Sequence, residues 1–185
     1  MIFQSLKTLF YIADVQKYAR CAARYDEQMR RKFGRFARLI IWSINCECPI
    51  KCANIKKPLY AARALGYRNI LCAQNFRNDS TVTQAVRAHG IFPYFYDIVV
   101  YKVVRMKDIY GIIKKHNADM RASYLFSDEE NGEAISLGNF FGLRTIALGN
   151  AARRVPASGH GAPFMRLANF EDIADVLEKS VSAAV

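Results

Sequence analysis

The feature that most constrains the fold is an alternation, from Leu39 to Leu148, of short β-branched apolar runs with segments of helical period. The runs "LIIWSI", "NILCAQN", "YDIVVYKV", "SYLFSD" and "RTIAL" read as five strands. Between them "NIKKPLYAARALGY", "NDSTVTQAVRAHG", "MKDIYGIIKKHN" and "NGEAISLGNFFG" read as helices, with Gly66 and Gly90 as stops and Asn78, Asp79 or Ser80 as an N-cap. Strands joined by helices of this length imply a mainly parallel sheet with right-handed crossovers and helices on both faces, an α/β protein in three layers. The tail "NFEDIADVLEKSVSAA" reads as a last amphipathic helix capped by Asn169, after the loop "GNAARRVPASGHGAP". No internal repeat is visible.

Residues 1–37 fall outside that alternation. Leu6, Leu9, Phe10, Ile12 and Ala13 form one helical face there, and Tyr18, Ala22, Tyr25 and Met29 a second, so one or two helices are expected beside the main core. A length of 185 residues suits one sizeable core with an extension. The expected division is a basic amphipathic extension, 1–37, and an α/β domain, 38–185. The net charge of +11 is uneven: residues 1–40 carry nine Lys and Arg against Asp14, Asp26 and Glu27. Such a balance suits an acidic partner, whether protein, RNA or an anionic lipid surface.

The apolar runs are far shorter than the roughly 20 residues of a membrane span, so no transmembrane segment is expected. Cys21, Cys46, Cys48, Cys52 and Cys72 make an odd count without a disulfide framework, which points to a reducing compartment. C-x-C-x₃-C lacks the usual zinc spacing and has no His beside it. The Arg- and aromatic-rich, acid-poor start has the flavour of a mitochondrial presequence and is expected to be retained as an amphipathic N-terminus.

In a parallel sheet the chemistry gathers at the carboxyl ends of the strands. Those positions hold Ser43 and Asn45, then Gln74 and Asn75, then Asp128, Glu129 and Glu130, while Lys107 opens the helix after the third strand. The stretch "YLFSDEENGEAISLGNFFGLRTIAL", Tyr124 to Leu148, resembles the final motif of the haloacid dehalogenase-like (HAD) superfamily, nearest to its small capless magnesium-dependent phosphatases. The resemblance extends more weakly back to Arg38. It implies a Rossmann-like HAD domain without a cap domain.

The resemblance also implies a site. Family members attack phosphate with an Asp at the end of the first strand, use a second Asp two residues on as general acid and base, and hold Mg²⁺ near both. In "LIIWSINCECPI" these positions fall on Ser43 and Asn45, which cannot do that work. The phosphate-binding Ser or Thr after the second strand is replaced by Gln74 or Asn75. Lys107 matches the phosphate-neutralising lysine, and Asp128 and Glu129 keep the acidity of the metal-holding cluster; helix-terminus charge is the alternative role for that cluster.

The expectation is therefore a pseudoenzyme: a phosphatase-like fold with no catalytic residues, metal or cofactor, serving as an accessory subunit of a large protein complex. The N-terminal composition places it in the mitochondrion, in a respiratory-chain or ATP-synthase complex or the ribosome. Phe3, Leu6 and Phe10, with Arg30, Arg31, Lys32 and Arg35, are the expected partner-binding residues. One alternative is a divergent Mg²⁺-dependent phosphatase acting on a phosphomonoester, with Glu47 the nearest replacement carboxylate. Another is RNA binding through the basic extension, where Phe33 and Phe36 interleave the cations.

Overall fold

A computed structural model describes residues 2–31, 36–44, 55–74, 79–130 and 132–182. Six parallel strands form one sheet in the order β3-β2-β1-β4-β5-β6: β1 (Arg38–Ile44), β2 (Tyr67–Gln74), β3 (Phe95–Tyr101), β4 (Tyr124–Ser127), β5 (Arg144–Leu148) and β6 (Met165–Leu167). Helices α2 (Lys56–Ala64), α3 (Asp79–Ala88), α4 (Met106–Lys115) and α5 (Glu133–Phe140) make the crossovers. A long helix α1 (Ile2–Arg31) precedes the sheet, a single turn α6 (Ala151–Arg154) follows β5, and α7 (Asp172–Ser182) ends the described chain.

The five predicted strands and the crossover helices form where the apolar periodicity places them. Leu39, Ile41 and Ile70 face α4 and α5, while Ile40, Trp42 and Leu71 face α2, α3 and α7. This strict division follows from strand side chains alternating between faces that are both buried. The sixth strand is an addition. Met165–Leu167 lies just past the predicted loop and is too short to show a period, yet it pairs with β5 from Ile146↔Met165 to Leu148↔Leu167.

Helix α1 departs from the expectation of helices outside the main core. Tyr25 is buried within the α4/α5 cluster, with Val15, Tyr18 and Ala22 packed against it, and its hydroxyl points between the carbonyls of Ile113 and Ala118, 3.3 Å from each. The docked stripe is the second of the two predicted faces. Ile12 and Ala13, from the first, are exposed. Tyr18 and Tyr25 both meet the Tyr110 ring of α4, which stacks in turn on Phe141. Asp14 and Lys17 lie beside the start of α4 and Tyr25 beside its end, so the two helices run parallel. Residues 2–13 therefore continue about 18 Å beyond the start of α4, at 1.5 Å per residue. Among the described residues no helix is long and apolar enough to cross a membrane.

Candidate functional site

The strand order reverses at β1, whose neighbours are β2 and β4. The crossover from β3 through α4 to β4 puts the carboxyl ends of β1 and β4 at the topological switch point, the usual ligand position in such sheets. Ser43 stands there in register with Cys72 of β2 and Ser127 of β4. All three are fully buried. Burial, the charge of Asp108 and that of Glu129 push the Cys72 thiol far up, so it stays protonated and inert.

Gln74 reaches back along the sheet and donates its side-chain amide to Ser43 Oγ at 2.9 Å. Both groups are buried, and the bond satisfies a donor and an acceptor that would each be costly to leave alone. The position that the resemblance assigns to a nucleophilic carboxylate is thus a neutral hydroxyl, held by a neighbour and shut off from solvent.

The acidic cluster after β4 is organised by α5. Glu129 is 7% exposed, and its carboxylate accepts from the backbone N–H of Ala134 in the first turn of that helix at 3.0 Å. Its own N–H donates to Ser127 Oγ at 3.1 Å. Glu129 thereby fills the helix-terminus role, giving the first turn an anionic acceptor. Glu130 pairs with Arg154 at the surface, and Asp128 is half-buried. Burial and the nearby Glu129 raise the Glu133 carboxyl above its usual range.

Lys107 is exposed in the first turn of α4. It lines a cleft of about 480 Å³ with Lys17 and Tyr18 of α1 and with Arg105 and Glu133. That cleft is shared by α1, by the start of α4 and by α5. Asp108 is used locally, accepting the Arg105 N–H at 2.9 Å.

Of the other predicted positions, Asn45 and Asn75 lie outside the described residues, as do Lys32, Arg35, Glu47 and the cysteines 46, 48 and 52. Phe3, Leu6, Phe10, Arg30 and Arg31 are on the α1 backbone, with side chains outside the described part.

Sequence reasoning missed a cluster near the amino end of the edge strand β3, against the end of α4. Asp97 of β3 accepts from Lys115 Nζ at 2.6 Å and lies 3.0 Å from His116 Nε2. Burial would raise the Asp97 carboxyl, but the hydrogen bonds and charges of Lys115 and His116 outweigh it and hold it below the usual range. Burial likewise outweighs Asp97 at His116 and lowers its pKa. A lone polar residue in "FYDIVVY", followed by "KKH" at a helix end, was the available signal.

The described donors do not suit the Mg²⁺ that the fold family implies. That ion wants near-octahedral oxygen ligation anchored by one or two carboxylates. The Ser43 hydroxyl is taken by Gln74, one Glu129 oxygen by Ala134, and among the described residues no group of three His, Cys, Asp or Glu gathers around a common point.

Three solved structures share this architecture. The core domain of an assigned phosphoglycolate phosphatase from Streptococcus pneumoniae is 15% identical with a TM-score of 0.56, covering 78% of this chain and 97% of its own. The chain has the haloacid dehalogenase-like fold. A HAD-like family hydrolase from Xanthomonas campestris (11% identity, TM-score 0.56) covers 70% of this chain and 54% of its own. The cobalt-bound deoxy-D-mannose-octulosonate 8-phosphate phosphatase from Haemophilus influenzae (9%, 0.55) covers 79% and 86%. No family model and no curated protein matches the sequence. The HAD likeness is thus one of fold, carried by the strand order and the crossovers.

Proposed function

We propose that this chain is a non-catalytic HAD-fold protein that works by contact, as an accessory subunit of a larger, mitochondrial assembly. The Ser43–Gln74 bond carries the reading. Phosphoryl transfer in this fold family needs an anionic oxygen at the end of the first strand, and a buried serine hydroxyl, hydrogen-bonded to Gln74 and with no base beside it among the described residues, is no substitute. The use of Glu129 as the acceptor for the α5 first turn supports the same reading.

The contact role draws on α1. Its second half is docked, and the segment 2–13 runs on past α4 with the sequence "IFQSLKTLFYIA", rich in aromatics and Leu and suited to burial against a partner. The mitochondrial placement rests on the Arg- and aromatic-rich composition of the first forty residues.

The competing reading is a Mg²⁺-dependent phosphatase. One structure that shares the fold is a phosphatase and another is assigned as one, and Asp128 and Glu129 stand at the β4 end. It requires a carboxylate from residues 45–54 to reach the β1 end, where Glu47 is the available one. Incubating the full chain with p-nitrophenyl phosphate and Mg²⁺ separates the two: no turnover above buffer is expected, and the endogenous protein should sediment with a large particle. Metal-dependent turnover that Asp128→Ala and Glu129→Ala abolish would overturn the proposal, as would sedimentation as an isolated monomer.

A further inference from the structure

We propose that the edge of the sheet opposite the strand ends of the family chemistry, at the start of β2 and β3, binds single-stranded RNA. Three large aromatic rings are exposed on this part of the domain: Tyr60 of α2, Phe92 just before β3, and Tyr96 of β3, at 65%, 37% and 62%. A small groove of about 250 Å³ runs between the start of β2 and the start of β3, lined by Arg63, Arg68, Tyr94 and Tyr96 among others and by no carboxylate.

The arginines are held in place by rings. Arg68 lies over Tyr96 with its guanidinium carbon 4.8 Å from the ring centroid, Arg87 lies 4.8 Å over Phe92, and Arg63 donates to the Pro93 carbonyl at 3.0 Å. Further along the same edge Arg38 stacks on Tyr67 at 4.9 Å and Arg144 on Tyr124 at 5.7 Å. None of these five arginines forms an ion pair with a described carboxylate. Asp97, the one carboxylate on β3, is held by Lys115 and His116.

The local charge is strongly one-sided. Arg63 and Arg68 line the groove without a carboxylate, and Arg87 lies over Phe92 just before β3. A cationic surface attracts any polyanion, but the rings select among them. Exposed aromatic faces and flat guanidinium planes stack on unpaired bases, and arginine also forks onto phosphate. Because the rings already fix the arginines, less side-chain entropy is lost on binding. An acidic protein surface would match the charge, but it offers no unpaired bases for the exposed ring faces and guanidinium planes to stack on. Duplex nucleic acid keeps its base faces stacked, so single strands fit best.

The test uses the full chain and a fluorescein-labelled oligouridylate of about 12 nucleotides, within the usual footprint of such sites, followed by anisotropy over a range of salt. Wild type should bind saturably, with affinity falling as salt rises. Arg63→Ala/Arg68→Ala/Arg87→Ala should weaken binding about tenfold or more and flatten the log–log salt slope by about 0.7 for each phosphate no longer neutralised. Tyr96→Ala should weaken it about fivefold, as removal of one stacking platform does, while leaving the slope unchanged. Lys17→Ala/Arg20→Ala/Arg24→Ala on α1 should have little effect.

The proposal is overturned if wild type does not bind, if the triple edge variant keeps its affinity, if the α1 variant is the one that weakens binding, or if polyphosphate of equal charge competes as well as RNA. Phosphatase turnover enters none of these readings, so this inference and the proposed function fail separately.

Discussion

Gln74 and Ser43 meet at 2.9 Å at the carboxyl ends of two adjacent strands, amide donating to hydroxyl, both out of reach of solvent. The pair closes the point where this fold does phosphoryl chemistry elsewhere. Gln74→Ala should lower stability by about 1–3 kcal/mol, because the serine oxygen stays buried without its donor. Ser43→Ala with Gln74→Leu should lose less than the sum of the two single variants, since neither polar group is then stranded. Urea unfolding midpoints of these variants measure this.

Restoring the missing acid should not restore chemistry. Ser43→Asp places a carboxyl under full burial in register with Cys72 and Ser127, which raises its pKa and costs about 2 kcal/mol or more. The expected outcome is a lower urea midpoint and no turnover of p-nitrophenyl phosphate with Mg²⁺. Turnover in this variant would mean that the rest of the phosphatase machinery is present.

Gly138 marks a point of close approach between α5 and the sheet. A Cβ there would lie 2.6 Å from Thr145 Cγ2. Gly138→Ala should therefore destabilise by about 1–3 kcal/mol through overpacking. Adding Thr145→Ser removes the offending methyl, keeps the hydroxyl that donates to Asn139 at 2.6 Å, and should recover much of the stability. Thermal melts of the single and double variants decide it.

Docking of α1 depends on Tyr25. Tyr25→Phe deletes the hydroxyl aimed at the Ile113 and Ala118 carbonyls and should cost about 0.5–1.5 kcal/mol. Tyr25→Ala also empties a core position, and about 3–5 kcal/mol is the scale for an aromatic. Limited trypsin digestion should then cut within residues 17–24 before it reaches the sheet. Equal protection in wild type and Tyr25→Ala would show that the ring does not hold the helix.

The Asp97–His116 pair makes stability pH-dependent with a definite sign. The folded protein holds His116 below its ordinary value of 6.5, so the unfolded chain takes up a proton first as pH falls. Stability contributed by neutral His116 is complete above that value and declines as pH drops towards the folded one. Asp97, held below 3.8, adds stability that is present above 3.8 and lost as pH falls through its lower folded value. Urea midpoints should fall in two stages on acidification, and His116→Gln should remove the first stage and shrink the second, because His116 is one of the two groups that hold Asp97 down.

The five predicted strands, four crossover helices and terminal helix were legible because each is written locally, as period 2 or 3.6 over enough residues to stand out. Gly66 and Gly90 follow their helices with φ of +80° and +64°, the left-handed backbone that a stop at those positions calls for. The neutral end of β1 was equally plain, since Ser and Asn are read off directly. Met165–Leu167 was not legible. Three residues carry no period, and their strand exists only because β5 presents an unpaired edge to them.

What the one-dimensional pattern determined is an α/β chain with a basic leading helix and no acid at Ser43. Tertiary structure alone decided that Gln74 satisfies that serine, that Tyr25 draws the leading helix into the core, that Lys107 turns to a cleft shared with Lys17, and that arginines distant in sequence share one edge with exposed rings. The physical reason is that periodicity is a property of neighbours along the chain. Hydrogen-bond satisfaction, burial and ring stacking are properties of groups that meet only once the strands have taken their order.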